Sequence, residues 1–199
     1  MFTVRRPTIA ALLVLSLAVR LVPYLLMAMG LAAAPGTSWF PWNLSPFLPV
    51  CLFGGAAYAS RRLALAVPAA VYLLGDFGVW ALTGRADWAF YAYQPVVYVA
   101  LTLVAALGLL ARRRPAPARV AGAGLAGALA FFLVTNFGVW ALGGTYPLTL
   151  EGLATCYVRG LPQLGNTALS MVVFLPVLFS RLALAPAAAP RTALAPQRG

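Results

Sequence analysis

The chain has 199 residues, 63% hydrophobic and 9% charged, with a mean hydropathy of +0.90, and a soluble domain of that length cannot hide so much apolar surface behind so few polar side chains. Its net charge of +11 comes from arginine, since lysine and histidine are absent; the arginines form small clusters between apolar stretches, which excludes the basic, aromatic-studded face of a nucleic-acid-binding protein. With no histidine and only Cys51 and Cys156, zinc and thiol-redox chemistry lack ligands; no cofactor is expected, and a disulfide between the two cysteines stays open.

Lipid-facing backbone must be hydrogen-bonded within its own segment, and the strict alternation of a transmembrane barrel is missing. The expected fold is therefore all-α, an integral membrane bundle. A hydrocarbon core of about 30 Å takes roughly 20 residues per helix, so the chain has room for six spans, read at 8–29, 45–60, 63–83, 91–111, 119–143 and 163–182. The first opens like a secretory signal, with Arg5 and Arg6 before an apolar run and alanines at 32–34. Arg20 interrupts that run and the stretch is long enough to span, so the helix is expected to be retained. In the second, Pro46, Pro49, Gly54 and Gly55 weaken regular helix, which predicts a tilted or thinner element behind the first outer loop.

That outer loop, 30–44, concentrates aromatic residues: Trp39, Phe40 and Trp42 beside Asn43. It reads either as a lid or as an anchor in the interfacial aromatic belt. The third and fifth spans share a hexapeptide, Phe77-Gly78-Val79-Trp80-Ala81-Leu82 recurring as Phe137-Gly138-Val139-Trp140-Ala141-Leu142, preceded by Asp76 in one copy and Asn136 in the other. A linker at 112–117 separates two halves, 63–114 and 119–181, that enter the membrane from one side, so the expected internal repeat is parallel. Within the second half, the run Gly122 to Ala128 spaces small residues by four and predicts a close helix contact, inside the bundle or with another subunit. The last outer loop, 144–162, is read with a helical stretch at 148–158 that Thr149 can cap, and Asn166 and Thr167 then open the sixth span at the level of Asn136. The bundle is expected to occupy 1–182, and the tail, 183–199, to be a disordered cytoplasmic end because prolines alternate there with alanines. Eleven of the fourteen arginines fall on the N-terminal side of this topology, which places both termini in the cytoplasm of a bacterial inner membrane.

Arg20 lies near the middle of the first helix, where a lone charge costs roughly 2.5–3.5 kcal/mol. Asp76 is the one carboxylate expected within the membrane, so an Arg20–Asp76 ion pair is predicted. Such a pair either fixes helix packing alone or, with Asn136, lines a polar cavity for a small polar ligand. Polar groups of several elements converge toward the outer leaflet, and the candidate substrate-binding residues are Arg20, Asn43, Asp76, Asn136, Tyr157 and Asn166, with Trp39 and Trp42 as lid or stacking groups.

Arg20-Leu21-Val22-Pro23, Asn43-Leu44-Ser45-Pro46, Leu52-Phe53-Gly54-Gly55, Asp76, Thr135-Asn136-Phe137-Gly138-Val139-Trp140, and Tyr157 with Gly160, Pro162, Asn166 and Thr167 resemble an uncharacterised bacterial family of transport-type proteins of about this length. That family is similar to the substrate-binding S component of energy-coupling-factor transporters. The resemblance implies six helices, a ligand held near the outer face, closure by the first outer loop, and work with a transmembrane coupling subunit and two ATPases. Many S components carry Ala-x-x-x-Ala on the first helix; here Ala10 is followed four later by Val14, and Ala66 and Ala70 hold the spacing on the third. Function is thus expected to be uptake of a small organic solute by a non-enzymatic membrane subunit, since neither a phosphate-binding loop with lysine nor a nucleophile or acid/base set is assembled. A structural subunit of a membrane complex, without transport, is the alternative.

Overall fold

The computed structural model describes residues 2–31, 41–58, 60–112 and 116–186. Among them the chain runs through β1 (Phe2–Val4), α1 (Arg6–Ala28), α2 (Phe47–Ala57), α3 (Arg61–Thr83), α4 (Ala86–Ala89), α5 (Gln94–Gly108, continued by a 3-10 turn to Ala111), α6 (Pro117–Leu142), α7 (Leu150–Leu178) and β2 (Leu184–Pro186). Helix starts follow local chemistry. Prolines occupy the first turns of α1, α5 and α6, where a missing N–H leaves no helical bond unmade. Thr149 caps α7 by accepting from the Gly152 N–H at 3.1 Å.

Five helical stretches, α1, α3, Ala86–Ala111, α6 and α7, are long and apolar enough to cross a membrane. Val14, Leu74, Leu125 and Val172 turn outward from these helices and are well exposed, an arrangement that acyl chains tolerate and water does not. The molecule is an all-α, multi-pass membrane bundle.

The short α2 is apolar on every side, and its residues from Leu48 to Ala56 are all buried, as a helix without a polar face must be. It sits among the longer helices: Leu52 and Phe53 join Val104 of α5, Ala128 of α6 and Leu178 of α7 in one core, and the Phe53 ring meets Phe179 edge-on at 5.2 Å. Against α5 the approach is backbone to backbone, through Gly55 and Gly108.

Three expectations change. The second span is an enclosed 11-residue helix, about 16 Å at 1.5 Å per residue, rather than a 16-residue span. The stretch 148–158 and the sixth span are one 29-residue helix, about 44 Å long, which exceeds a hydrocarbon core of about 30 Å. Pro162 lies inside it; a proline there removes one helical bond, which membrane helices accommodate. The first residues of the expected tail are ordered: β2 pairs antiparallel with β1, Thr3 opposite Ala185, and Arg5 N–H donates to the Ala183 carbonyl at 2.7 Å. Both described ends of the chain therefore meet at one face. Residues 187–199 of that tail lie outside the described residues.

The duplicated hexapeptides occupy the last turns of α3 and α6. Phe77 and Phe137 both point outward, about half exposed, and each ring lies beside the tryptophan of its copy, at 6.5 and 5.4 Å. The small-residue run on α6 makes the first of its two expected contacts, inside the bundle, with Gly124 against Leu175 and Gly127 against Leu52 and Val104. Cys51 and Cys156 are both free and buried.

Candidate functional site: a pocket at the head of the short central helix

Because α2 is too short to fill the depth spanned by its neighbours, the middle of the bundle is left open beyond its N-terminal end. A pocket of about 120 Å³ lies there, bordered by Phe47 and Leu48 of α2, Ser16, Leu17, Val19, Arg20 and Tyr24 of α1, Val71 and Tyr72 of α3, Leu101 of α5, Phe131 of α6, Thr167 of α7 and the loop residues Trp42, Asn43 and Ser45. One water needs about 10–15 Å³ on the same measure, so the space suits a small solute.

Arg20 is the charged side chain on this wall. Its Nη2 donates to Asp76 Oδ1, and its guanidinium lies over the Tyr72 ring at 4.0 Å. Asp76 is fully buried behind it. The second carboxylate oxygen accepts from Gln94 Nε2 and from the Tyr98 hydroxyl, the latter at 3.2 Å; Gln94 also donates to the Ala89 carbonyl at 3.1 Å. Tyr72 and Tyr91 hydroxyls pair at 3.0 Å. The arginine has room to lie across α3 because Gly75 has no side chain: a Cβ there would stand 2.6 Å from Arg20 Cδ. Arg20 Nε is buried without a hydrogen-bond partner among the described residues. Pro23, a turn later, offers no N–H to the carbonyl of Val19, and Val19 also borders the pocket.

The loop wall is tied to α7. Asn166 Nδ2 donates to the Trp42 carbonyl at 3.0 Å. Ser170 Oγ accepts from Ser45 N–H at 3.0 Å and stands 3.0 Å from the carbonyls of Asn43 and Asn166, either of which can take its proton. Asn43 itself adopts φ 68°, a left-handed conformation that asparagine reaches more readily than most residues. Tyr24 lies between Trp42 and Trp88, with ring centroids at 6.3 and 6.4 Å. Replacing Ser170 with Ala leaves Ser45 N–H with the Asn43 carbonyl alone, at 3.0 Å, and removes the tie between loop and helix, a loss of about 0.5–1.5 kcal/mol. The expected result is faster hydrogen exchange at Ser45 and its neighbours in the loop; unchanged exchange there sinks the account of Ser170 as the loop's clamp.

Of the expected site residues, the structure brings Arg20, Asn43 and Trp42 to the pocket and puts Asp76 behind Arg20. Asn166 supports the wall rather than lining it. Asn136 and Tyr157 lie elsewhere, at the contact of α6 with α7. Asn136 Nδ2 donates to Phe132 O at 2.8 Å, its carbonyl accepts from Cys156 Sγ at 3.4 Å, and Tyr157 OH donates to Leu133 O at 2.8 Å. Trp39 falls outside the described residues. The residues missed are Tyr72, Gln94 and Tyr98. Their signal is spacing: Tyr72 and Asp76 stand four apart on α3, as Gln94 and Tyr98 do on α5, and residues four apart share one helix face.

No curated protein and no solved structure matches the chain. A family model does, over residues 2–193, nearly the whole sequence, and the chain belongs to the Family of unknown function (DUF6580).

Proposed function

We propose that this protein is a transport subunit that captures a small organic solute from the outer side of a bacterial inner membrane and serves its uptake. The observation that carries the reading is a polar-headed pocket inside an apolar bundle, with an arginine on its wall whose counter-ion is held behind it. Charged groups at membrane depth cost several kcal/mol and are kept mainly where they line a site or a pathway. The loop 41–46 beside the pocket, pinned by two side chains of α7, suits a cover that can release. Energy would come from partner subunits, a coupling protein with ATPases, as the likeness to S components of energy-coupling-factor transporters implies. Among the described residues the pocket gathers no nucleophile with its base and no paired carboxylates, which favours binding over catalysis.

In this reading the bundle makes six passes, with α2 as the shielded sixth and both termini in the cytoplasm. The pairing of β1 with β2 supports it, because chain ends that meet at one face need an even number of crossings. Arginine clusters at the loops of that same face give the orientation. The two hexapeptide copies, each closing a long helix, mark the halves of a parallel repeat. A structural subunit is the second reading, favoured by the completeness of the Asp76 hydrogen bonds.

Ligand-induced thermal stabilisation of the purified protein separates the two. A true solute at a hundred times its Kd adds about 2.7 kcal/mol, or roughly 5–10 °C in Tm for a chain of this size. Should a broad panel of vitamins, nucleobases, amino acids and organic acids give no shift, the capture reading falls and the structural one stands.

A further inference from the structure

We infer that the pocket selects solutes with a carboxylate or comparable anionic acceptor, which docks against Arg20 and the N-terminal end of α2. The inference rests on the capture reading and names its substrate class. Two sources of positive potential converge on one small space. Arg20 is the only charged residue among the described residues bordering the pocket, while Asp76, which neutralises it overall, is fully buried on the far side and is absent from the described wall. A ligand in the pocket therefore meets the guanidinium first and the carboxylate second, at greater distance. Asp76 takes one Arg20 nitrogen, Nη2; Nε is closed off against Gly75, and the quarter of the side chain that stays exposed is what an acceptor in the pocket can meet.

The second source is α2. Phe47 and Leu48, its first two residues, border the pocket, and the start of a helix carries about half a positive charge from its unsatisfied N–H groups. Phe47 N–H reaches only the Ser45 hydroxyl, at 3.4 Å; Pro49 has no N–H and Val50 N–H is taken by the Pro46 carbonyl, so the donors this helix start can offer are those of Phe47 and Leu48. A helix that stops inside a membrane bundle with its N-terminus at a binding site is a known arrangement for anionic groups. Leu17, Val71, Leu101 and Phe131 make an apolar part of the wall, beside the hydroxyl and amide groups of Ser16, Asn43, Ser45 and Thr167, which fits a short hydrocarbon body attached to a polar, anionic head. A cation would enter against both fields.

The test uses matched probes of one body and three heads: butyrate, butyramide and butylammonium, then benzoate, benzamide and benzylammonium, titrated calorimetrically into the full-length protein in a zwitterionic detergent. The carboxylates are expected to bind at least tenfold more tightly than their ammonium counterparts, with the amides between. The double variant Arg20→Met with Asp76→Leu, which removes the charge without orphaning its partner, is expected to lose most of that preference and keep only the smaller part that the α2 terminus supplies. If ammonium probes bind as well as carboxylates, or if the double variant keeps the full preference, the inference is wrong while solute capture survives. If neither these probes nor the broader panel bind, capture itself falls and the inference with it.

Discussion

Asp76→Ala is expected to destabilise the protein by about 3–5 kcal/mol, the range for breaking a buried ion pair from one side. The loss has three parts. Arg20 keeps its charge at membrane depth with no counter-ion, and Gln94 and Tyr98 lose the acceptor toward which both point from α5. The void left by the carboxylate adds a cavity cost. Since the carboxylate joins α1 to α5 across α3, the variant loosens the contact of three helices at once. Thermal unfolding in detergent or nanodiscs measures the effect. The double variant Arg20→Met with Asp76→Leu should recover at least half of it, because a buried pair replaced by apolar residues of similar volume is often neutral. A single-variant loss below about 1 kcal/mol, the level of an exposed pair, would mean that water reaches Asp76 and that the helices are held by something else.

This ion pair is legible in the sequence because charge is so scarce. One arginine and one carboxylate stand in the interior of apolar stretches, and the cost of leaving either alone in lipid forces them together. The remaining bonds of Asp76 are legible in part, through the four-residue spacing of Gln94 and Tyr98, once their helix is known to face α3. Asn136 shows where repetition stops being informative. Its copy of the motif has the same letters and the same helix-end position as that of Asp76, yet its neighbours are Phe132, Cys156 and Gly160 of a different helix pair. A repeated motif sets which face of a helix is polar; the partner across that face depends on tertiary neighbours, and those are not repeated.

The enclosed position of α2 is another feature that residue types disclose only partly. Prolines and glycines announce that the second span is irregular, and its lack of any polar face demands burial. That it stops short, and so leaves a pocket at its head, depends on the Asn43 turn and on the clamps from Ser170 and Asn166, which join residues more than 120 positions apart. Likewise β1 and β2 are three residues each, too short for a period-two pattern to stand out.

Gly55→Ala should be among the most damaging single substitutions in the chain, with Gly108→Ala beside it. A Cβ at Gly55 would lie 1.8 Å from the carbonyl oxygen of Ala105, and one at Gly108 would lie 1.9 Å from that of Leu52. Both obstacles are backbone atoms of a facing helix, so no rotamer change relieves them and α2 must move bodily away from α5. Overpacking of flexible cores costs about 1–3 kcal/mol and occasionally more; here the expected loss is at least about 3 kcal/mol. Gly54 is the internal control. A Cβ there meets the Ala64 carbonyl and the Tyr58 ring at 3.4 Å, near ordinary contact, and alanine is the better helix former by roughly 0.5–1 kcal/mol. Gly54→Ala should therefore be close to neutral, although it adjoins Gly55 and adds the same methyl group. Displacing α2 also shifts Phe47 and Leu48 at its other end, so Gly55→Ala protein that still folds should lose solute binding even though the substituted residue does not line the pocket. Equal stability of the two alanine variants, measured by thermal unfolding of each, would show that α2 and α5 are not in backbone contact.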